Sequence, residues 1–217
     1  MNNLKHQLIR LLIILIGSSS LLFAQGPKQA RYLLEQVSKK IEKQKNMRFE
    51  FKYVLENNEE QIRQETEGKV TLAGDRYKLD FLEIIQLFDG EKIYTIVPEN
   101  EEITVSTPED SEEINVNPSQ ILNFYKEGYD YQWDIYQRVM GRNIQFIKLI
   151  PSEENADIKY LLLGIDVDQN SIYRLIEIGN GKTTTTLTIK NQEENITLPP
   201  YFFEFNLGDY PNYYLNN

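Results

Sequence analysis

The sequence contains no cysteine, and its one histidine, His6, lies close to the N-terminus. The missing thiol excludes disulfide bonds, cysteine nucleophiles and cysteine zinc sites. If the segment that carries His6 is removed, Ser-His-Asp triads and other imidazole chemistry are excluded as well. A chain with neither group is expected to bind something rather than to catalyse a covalent step. We therefore predict no enzyme activity, no metal site and no cofactor.

Residues 1–25 have the organisation of a secretory signal peptide. Lys5 and Arg10 lie in a short polar start, an apolar run covers residues 11–16, and small residues precede a peptidase site after Ala24 or Gln25. The alternative is a permanent membrane anchor, which needs about 20 predominantly apolar residues. Arg10 and a glycine-serine cluster interrupt this stretch, so export with cleavage is predicted.

Basic residues are scarce relative to acidic ones, with 23 Lys and Arg against 33 Asp and Glu. The formal net charge is −10, and it becomes −12 without Lys5 and Arg10. Such a balance argues against attraction to nucleic acid. The hydrophobic content of 41% is too high for a disordered chain. Residues 26–217 are therefore predicted to form a single domain.

Two segments have the apolar spacing of helices. In residues 27–45 the apolar residues recur every three or four positions, as in Ala30, Leu33, Leu34, Val37 and Ile41. A second, shorter helix is predicted at residues 118–127 and is ended by a glycine.

The rest of the chain alternates with a period of two, which is typical of strands in an antiparallel sheet. The turn Asp89-Gly90 is a strong hairpin signal. Residues 209–217 are expected to be held loosely. Strands are predicted at residues 47–55, 61–67, 69–72, 76–81, 84–88, 92–97, 103–105, 129–136, 142–150, 160–167, 171–178, 183–190 and 202–207.

Acidic residues supply the remaining candidates for chemistry. Most acidic pairs, such as Glu59-Glu60, fall in predicted turns, where solvation explains them better than catalysis. Asp166, Asp168 and Asn170 alternate as in a calcium loop, but Ser171 stands where that loop needs glycine. A β-turn is predicted there.

The apolar faces of the strands admit two interpretations. They form a closed core, or they line a curved sheet that the helices cover incompletely, which leaves an apolar cavity for a lipid. Most apolar stripes are simply core, and the pattern alone does not separate the two.

The order of four segments carries a family resemblance. They are GKVTLAGDRYKLDF at residues 68–81, FDGEKIYTIVPENEEITV at residues 88–105, a helix after Asn117-Pro118, and PPYFFEFNL at residues 199–207. Together, in this order, they resemble the periplasmic outer-membrane lipoprotein carriers, the LolA-like proteins.

The resemblance implies a mainly β (α+β) fold, an incomplete antiparallel β-barrel of about 10–11 strands with helices covering an apolar cavity. It implies a periplasmic carrier that receives acylated lipoproteins from an inner-membrane ABC-type release complex and moves their acyl chains to the outer membrane. The outer-membrane acceptor is not assigned, and a monomer that binds no nucleic acid is expected. Two alternatives remain open: a carboxylate-based secreted hydrolase and a lipid-sensing envelope binding module.

Within such a fold, alternation along the strands selects the candidates for ligand binding. The cavity wall is predicted at Phe49, Phe51, Tyr53, Val70, Leu72, Tyr77, Leu79 and Phe81. The lid is predicted at Leu122 and Phe124, together with Leu33, Leu34 and Val37 of the first helix.

One position departs from the family pattern. Members commonly have an Arg-Pro step after the strand that corresponds to residues 70–72, and the resemblance implies that this arginine restrains the closed form. Here Gly74-Asp75 occupies the place, with Arg76 next in sequence. Either Arg76 takes over the role or it is an ordinary surface arginine at a turn.

Overall fold

The computed structural model describes residues 26–108, 122–153 and 158–216. The predicted signal peptide and its cleavage site lie outside this range, as do residues 118–121 of the second predicted helix. In the described ranges no helix is both long enough and apolar enough to cross a membrane.

The first helix, α1, spans Gly26–Ile41 and is amphipathic, as the spacing predicts. Its apolar stripe is buried, whereas its polar side is exposed. The helix ends four residues before the predicted end because its last turn tightens: the Lys43 amide donates to the Lys40 carbonyl. The Gln44 side chain also donates to that carbonyl, at 3.1 Å, and so caps the helix. α1 packs chiefly against the strand that begins at Tyr129.

The described strands form one open sheet. In chain order the strands β1 to β12 span Met47–Asn57, Ile62–Ala73, Arg76–Phe81, Ile84–Phe88, Ile93–Val97, Glu102–Ser106, Tyr129–Val139, Arg142–Pro151, Ile158–Asp166, Ser171–Gly179, Thr183–Glu194 and Tyr214–Asn216. Their order across the sheet is β12-β6-β5-β4-β3-β2-β1-β11-β10-β9-β8-β7. All neighbours are antiparallel except β12 and β6. The predicted mainly β fold, an incomplete barrel with a covering helix, is confirmed, with twelve strands instead of 10–11.

The sheet has an inner and an outer face. We call the inner face the one that carries Phe49 of β1 and Val70 of β2, because these residues join the buried stripe of α1 in the main apolar core. The outer face carries charged ladders, for example Arg48 with Glu193 at 3.5 Å. Period-two alternation on β1 and β2 therefore separates apolar from charged residues, as predicted.

The C-terminal segment, residues 199–216, crosses the outer face and is named here the C-terminal strap. Phe203 is buried in it, with the Arg76 guanidinium 5.1 Å from its ring centroid. Phe205 stacks on Tyr94 of β5 at 4.3 Å, and Tyr210 stacks on Phe205 at 5.7 Å. The strap gives β3 to β6 an aromatic second layer.

Two predictions for this strap are wrong. Residues 202–207 form turns and a short 3-10 helix, Leu207–Asp209, rather than a strand. Pro199 and Pro200 have no amide hydrogen for a strand ladder, and Tyr201 has a φ of 64°. Residues 209–216 are not loose, because β12 pairs with β6 and the Tyr214 amide donates to the Glu101 carbonyl at 2.8 Å.

The second predicted helix, at residues 118–127, is also not found in its described part. Residues 122–127 contain no α-helical turn, and their 3-10 turn spans Phe124–Lys126. The chain turns here instead of continuing because Tyr125 is buried against the core and Gly128 has a φ of 81°, after which β7 begins.

The free edge strand, β7, is interrupted by a bulge between Trp133 and Tyr136. The side chain of Gln145 on β8 is almost fully buried beneath it and donates to the Asp134 carbonyl at 2.8 Å. This hydrogen bond satisfies a backbone acceptor that the bulge removes from the ladder. Bulges of this kind discourage an exposed edge from pairing with another chain.

Candidate functional site

An apolar cavity of about 180 Å³ lies on the inner face of β1, β2, β3 and β11. Among the residues that the structure describes, no charged side chain lines it, and a tyrosine is the most polar contributor. The lining residues are Phe49, Phe51, Tyr53, Val70, Leu72, Leu79, Phe81, Leu122, Leu187 and Ile189.

The strand register brings these side chains together. Val70 of β2 lies between Phe49 of β1 and Leu79 of β3, and all three share the inner face. Across the other edge of β1, Tyr53 pairs with Leu187 of β11. Because side chains on paired positions project to the same side of a sheet, four strands supply one continuous wall.

Gly68 allows two aromatic rings to meet across an intervening strand. It pairs with Phe51 on one side and Phe81 on the other. The two ring centroids are 5.5 Å apart, and Tyr53 meets the Phe81 ring edge-on at 5.3 Å. A Cβ atom at Gly68 would lie 2.4 Å from the Phe51 Cζ atom and 2.9 Å from the Phe81 Cδ2 atom. The glycine therefore makes room for this aromatic part of the wall.

Eight of the thirteen predicted site residues line the cavity, and the other five lie elsewhere. Tyr77 is buried under Phe88, where its hydroxyl donates to the Gln86 Oε1 atom at 2.8 Å, and burial raises its pKa to about 12. Phe124 packs edge-on against the Tyr125 and Tyr129 rings. The three helical candidates, Leu33, Leu34 and Val37, form the buried stripe of α1. Ligand binding by any of the thirteen stays a prediction.

The sequence prediction missed two lining residues, Leu187 and Ile189 of β11. The signal was present, since Thr183, Thr185, Leu187 and Ile189 alternate along one face of a predicted strand. Only the pairing of β11 with β1, whose paired residues are more than 120 positions apart in the chain, brings them to the cavity.

The acidic side chains that the structure describes do not line the cavity. Among the described residues no group of three His, Cys, Asp or Glu is placed to hold a metal ion. The predicted β-turn after Asp166 is present: its Oδ1 atom accepts from the Asp168 amide at 3.1 Å. Glu177 shares the inner face with Leu175, and partial burial raises its pKa above the usual value of a glutamate.

Arg76 does not reach the cavity. It neighbours Tyr77, whose side chain is on the inner face, so Arg76 projects to the outer face. Its guanidinium lies over Phe203 of the C-terminal strap. The structure thus places it as an outer-face arginine in contact with an aromatic ring.

No protein-family model and no curated protein matches this sequence. Solved structures do match. An uncharacterized conserved protein from Thermus thermophilus aligns with a TM-score of 0.54 at 10% identity, over 84% of this chain and 96% of that one. This alignment shows a shared fold.

Two other similar structures have lower TM-scores. Lipoprotein LppX from Mycobacterium tuberculosis aligns at 0.49 and 12% identity, over 78% of this chain and 98% of that one. A LolA superfamily protein from Nitrosomonas europaea aligns at 0.43 and 11% identity, over 81% and 97%.

Proposed function

We propose that this chain is a periplasmic carrier that binds the acyl chains of lipoproteins in the apolar cavity and moves them from the inner to the outer membrane. The single observation that carries the proposal is the cavity itself. Its wall is built by register from four strands, and in the described ranges no charged group contributes to it. Such a wall suits a ligand that offers only hydrocarbon, and it offers no group for acid-base chemistry.

The free energy of burial supports a role in shielding acyl chains from water. Each buried methylene gains about 0.8 kcal/mol. A chain of about 15 methylenes therefore gains about 12 kcal/mol on leaving water, which exceeds the typical cost of rearranging a few surface contacts. A protein with an apolar cavity can hold such a chain in an aqueous compartment and still release it to another apolar site.

The volume of 180 Å³ indicates that the described state is closed. An apolar cavity of about 150 Å³ holds one benzene molecule, which is far less than an acyl chain. Binding on this proposal requires α1 and the turn after Leu122 to move away from the inner face.

The contacts that hold these elements at their edges suit such a movement. Lys126 of the turn pairs with Glu42 just after α1 at 3.0 Å, and both side chains are exposed. Lys40 pairs with Glu194 of β11 at 2.8 Å. Exposed and partly exposed ion pairs of this kind stabilise a structure only slightly. On this proposal, burial of the apolar stripe of α1 supplies most of the free energy that stabilises the closed state.

The partners on this proposal are acylated lipoproteins and an inner-membrane ABC-type release complex, and the outer-membrane acceptor is not assigned. The chain acts without a covalent step, as a monomer, and after removal of residues 1–25. The hydrolase alternative differs in one observable: a hydrolase returns its ligand deacylated, and a carrier returns it intact.

The test uses one substitution at two leucines that are three positions apart. Leu79 lines the cavity, whereas Leu82 is 58% exposed. Leu79→Glu and Leu82→Glu therefore introduce the same charge inside and outside the cavity. The measurement is the binding of a fluorescent diacylglyceryl-cysteine lipopeptide, followed by mass spectrometry of the recovered lipopeptide.

We expect Leu82→Glu to bind like the wild type and Leu79→Glu to bind at least tenfold more weakly while melting cooperatively. The lipopeptide is expected to be recovered intact. Equal binding by both variants contradicts the cavity as the site, and recovery of deacylated peptide contradicts the carrier in favour of a hydrolase.

A further inference from the structure

A second and larger groove, of about 640 Å³, lies on the outer face of the sheet. It is built by the outward side chains of β1 and β11, by the turn between β7 and β8, and by the start of β10. The acyl-chain proposal does not use this groove, and a ligand bound there would not depend on that proposal.

The groove is basic in a chain that is strongly acidic as a whole. Its lining includes five Lys or Arg residues and one glutamate, whereas the formal net charge of the chain is −10. Three of the basic residues are compensated at the rim: Lys52 pairs with Glu65, Arg63 pairs with Glu56, and Lys190 pairs with Glu67.

The other two cations, Arg142 and Arg174, are not compensated. In the described part of the chain no carboxylate lies within 4.0 Å of either guanidinium. Both lie against the buried ring of Tyr173, at 5.6 Å and 5.1 Å from its centroid. Two partly buried positive charges that share one ring repel each other, and a bound anion removes this repulsion.

A comparison with Arg48 shows what is unusual about Arg174. Both arginines lie on the outer face, and each donates from its Nε atom to the Oγ1 atom of a threonine on a neighbouring strand. Arg48 donates to Thr71 at 3.3 Å, and Arg174 donates to Thr188 at 3.0 Å. Arg48 also has a carboxylate partner, Glu193. Arg174 has the corresponding tether, and its Nη2 atom also donates to the Tyr173 hydroxyl at 3.4 Å, but it has no carboxylate partner among the described residues. Its guanidinium is therefore held in place with hydrogen-bond donors left for another acceptor.

The chemistry of the groove favours a phosphate group. A tethered guanidinium binds phosphate through two parallel hydrogen bonds, and two guanidiniums approach a tetrahedral anion from different directions. The volume lies in the range of about 300–1,000 Å³ that is typical of small-molecule sites. Val54 and Met140 add apolar surface to the lining, which suits an organic body attached to the anion.

We propose that this outer-face groove is a binding site for a phosphate-bearing small molecule or headgroup, with Arg142 and Arg174 as the anion ligands. Tyr173 positions the two guanidiniums, and the rim cations attract the ligand. The phosphate comes either from a free phosphorylated molecule or from a phospholipid headgroup.

Two probes without acyl chains separate these sources and avoid the inner cavity. They are inorganic phosphate and glycerophosphoglycerol, the deacylated headgroup of phosphatidylglycerol, titrated calorimetrically into the whole protein at low salt. Binding of both probes indicates that a phosphate group suffices, and binding of glycerophosphoglycerol alone indicates a lipid headgroup.

Arg142→Gln and Arg174→Gln are each expected to weaken binding about 10-fold to 100-fold, because each removes charge-assisted hydrogen bonds. The matched control is Arg48→Gln, which removes an outer-face arginine of the same tethering and is expected to leave binding unchanged. Leu79→Glu is also expected to bind the probe normally, since it alters only the inner face.

NMR shift mapping on the wild type keeps the test decisive if an arginine variant fails to fold. The largest shifts are expected at Arg142, Tyr173 and Arg174. The proposal is overturned if neither probe binds, if Arg48→Gln weakens binding as much as Arg174→Gln, or if the shifts lie elsewhere.

Discussion

Replacing Gly68 by alanine places one methyl group between two aromatic rings of the cavity wall. The new Cβ atom would lie 2.4 Å from Phe51 and 2.9 Å from Phe81. Ordinary carbon contacts begin near 3.4 Å, so the Phe51 ring must retreat by about 1 Å. Both strands that carry the rings are hydrogen-bonded to β2, and therefore the rings can retreat only toward the cavity.

Two opposing effects determine the size of the change. Gly→Ala at a compatible position stabilises by about 0.4–1 kcal/mol through the unfolded state. Overpacking a buried site costs about 1–3 kcal/mol. The second effect is larger here, so we expect a net loss of about 1–2 kcal/mol. For a domain of this size that loss lowers the melting temperature by about 2–8 °C.

Gly181 provides the matched control. It lies in the turn before β11, and a Cβ atom built there meets no atom within 4 Å. Gly181→Ala is expected to leave the melting temperature unchanged or to raise it slightly. In the double variant, Gly68→Ala with Phe81→Leu, the smaller side chain is expected to recover part of the loss. If Gly68→Ala melts no lower than Gly181→Ala, the close packing at Gly68 is refuted.

Three further changes test other parts of the structure. Glu177→Gln is expected to raise the stability of the protein at pH 7, because the wild-type carboxyl is ionised there although its partly buried position, which raises its pKa, favours the neutral form. The difference in melting temperature between variant and wild type should vanish as the pH falls below the usual pKa range of a glutamate, which thermal melting at several pH values measures. Phe203→Ala should lower the free energy of unfolding in urea by about 3–5 kcal/mol, because a buried ring is lost from the C-terminal strap, whereas replacing the exposed Tyr201 by alanine should change it by less than about 0.5 kcal/mol. Equal losses in the two variants would contradict the packing of the strap. Gln145→Leu should lower the free energy of unfolding by about 1–3 kcal/mol, because carbonyls of the β7 bulge lose their hydrogen-bond donor, and the β7 amides should exchange their hydrogens faster. Unchanged exchange rates would contradict the role of Gln145 in holding the bulge.

Local patterns in the sequence account for most of the fold. The spacing of Leu33, Leu34 and Val37 predicts α1, and the alternation of Phe49, Phe51 and Tyr53 predicts both β1 and its inner face. These predictions hold because a residue on a half-buried element follows the period of that element. The Asp89-Gly90 hairpin holds because its conformation is set within a few residues.

Predictions from the sequence were wrong or missing where contacts between distant parts of the chain determine the local structure. Residues 202–207 alternate like a strand, but their aromatic rings pack on the outer face of β3 to β6. They do not form a strand ladder, because the two prolines that precede them cannot donate backbone hydrogen bonds. The pairing of β12 with β6 joins residues that are more than 110 positions apart in the chain, and no local sequence pattern predicts it.

The same limit explains the site. Alternation along the strands selected seven of the ten lining residues, because the inner-face residues of β1, of β3 and of the second half of β2 are mostly apolar, and the predicted lid supplied Leu122. It missed Leu187 and Ile189, since only the long-range pairing of β1 with β11 in the middle of the sheet brings them to the cavity. The outer-face groove lay beyond prediction for a related reason: Arg142 and Arg174 come from different hairpins and meet only at Tyr173.

The central claim, that acyl chains bind inside the apolar cavity, is tested most directly by photocrosslinking. A diacylglyceryl-cysteine lipopeptide with a photoreactive group near the end of one acyl chain is bound to the protein, irradiated and mapped by mass spectrometry. Crosslinks are predicted at inner-face residues of β1, β3 and β11, chiefly Phe51, Leu79 and Leu187, and they should be lost in Leu79→Glu but kept in Leu82→Glu. Crosslinks confined to the outer face, or none at all, would contradict the account.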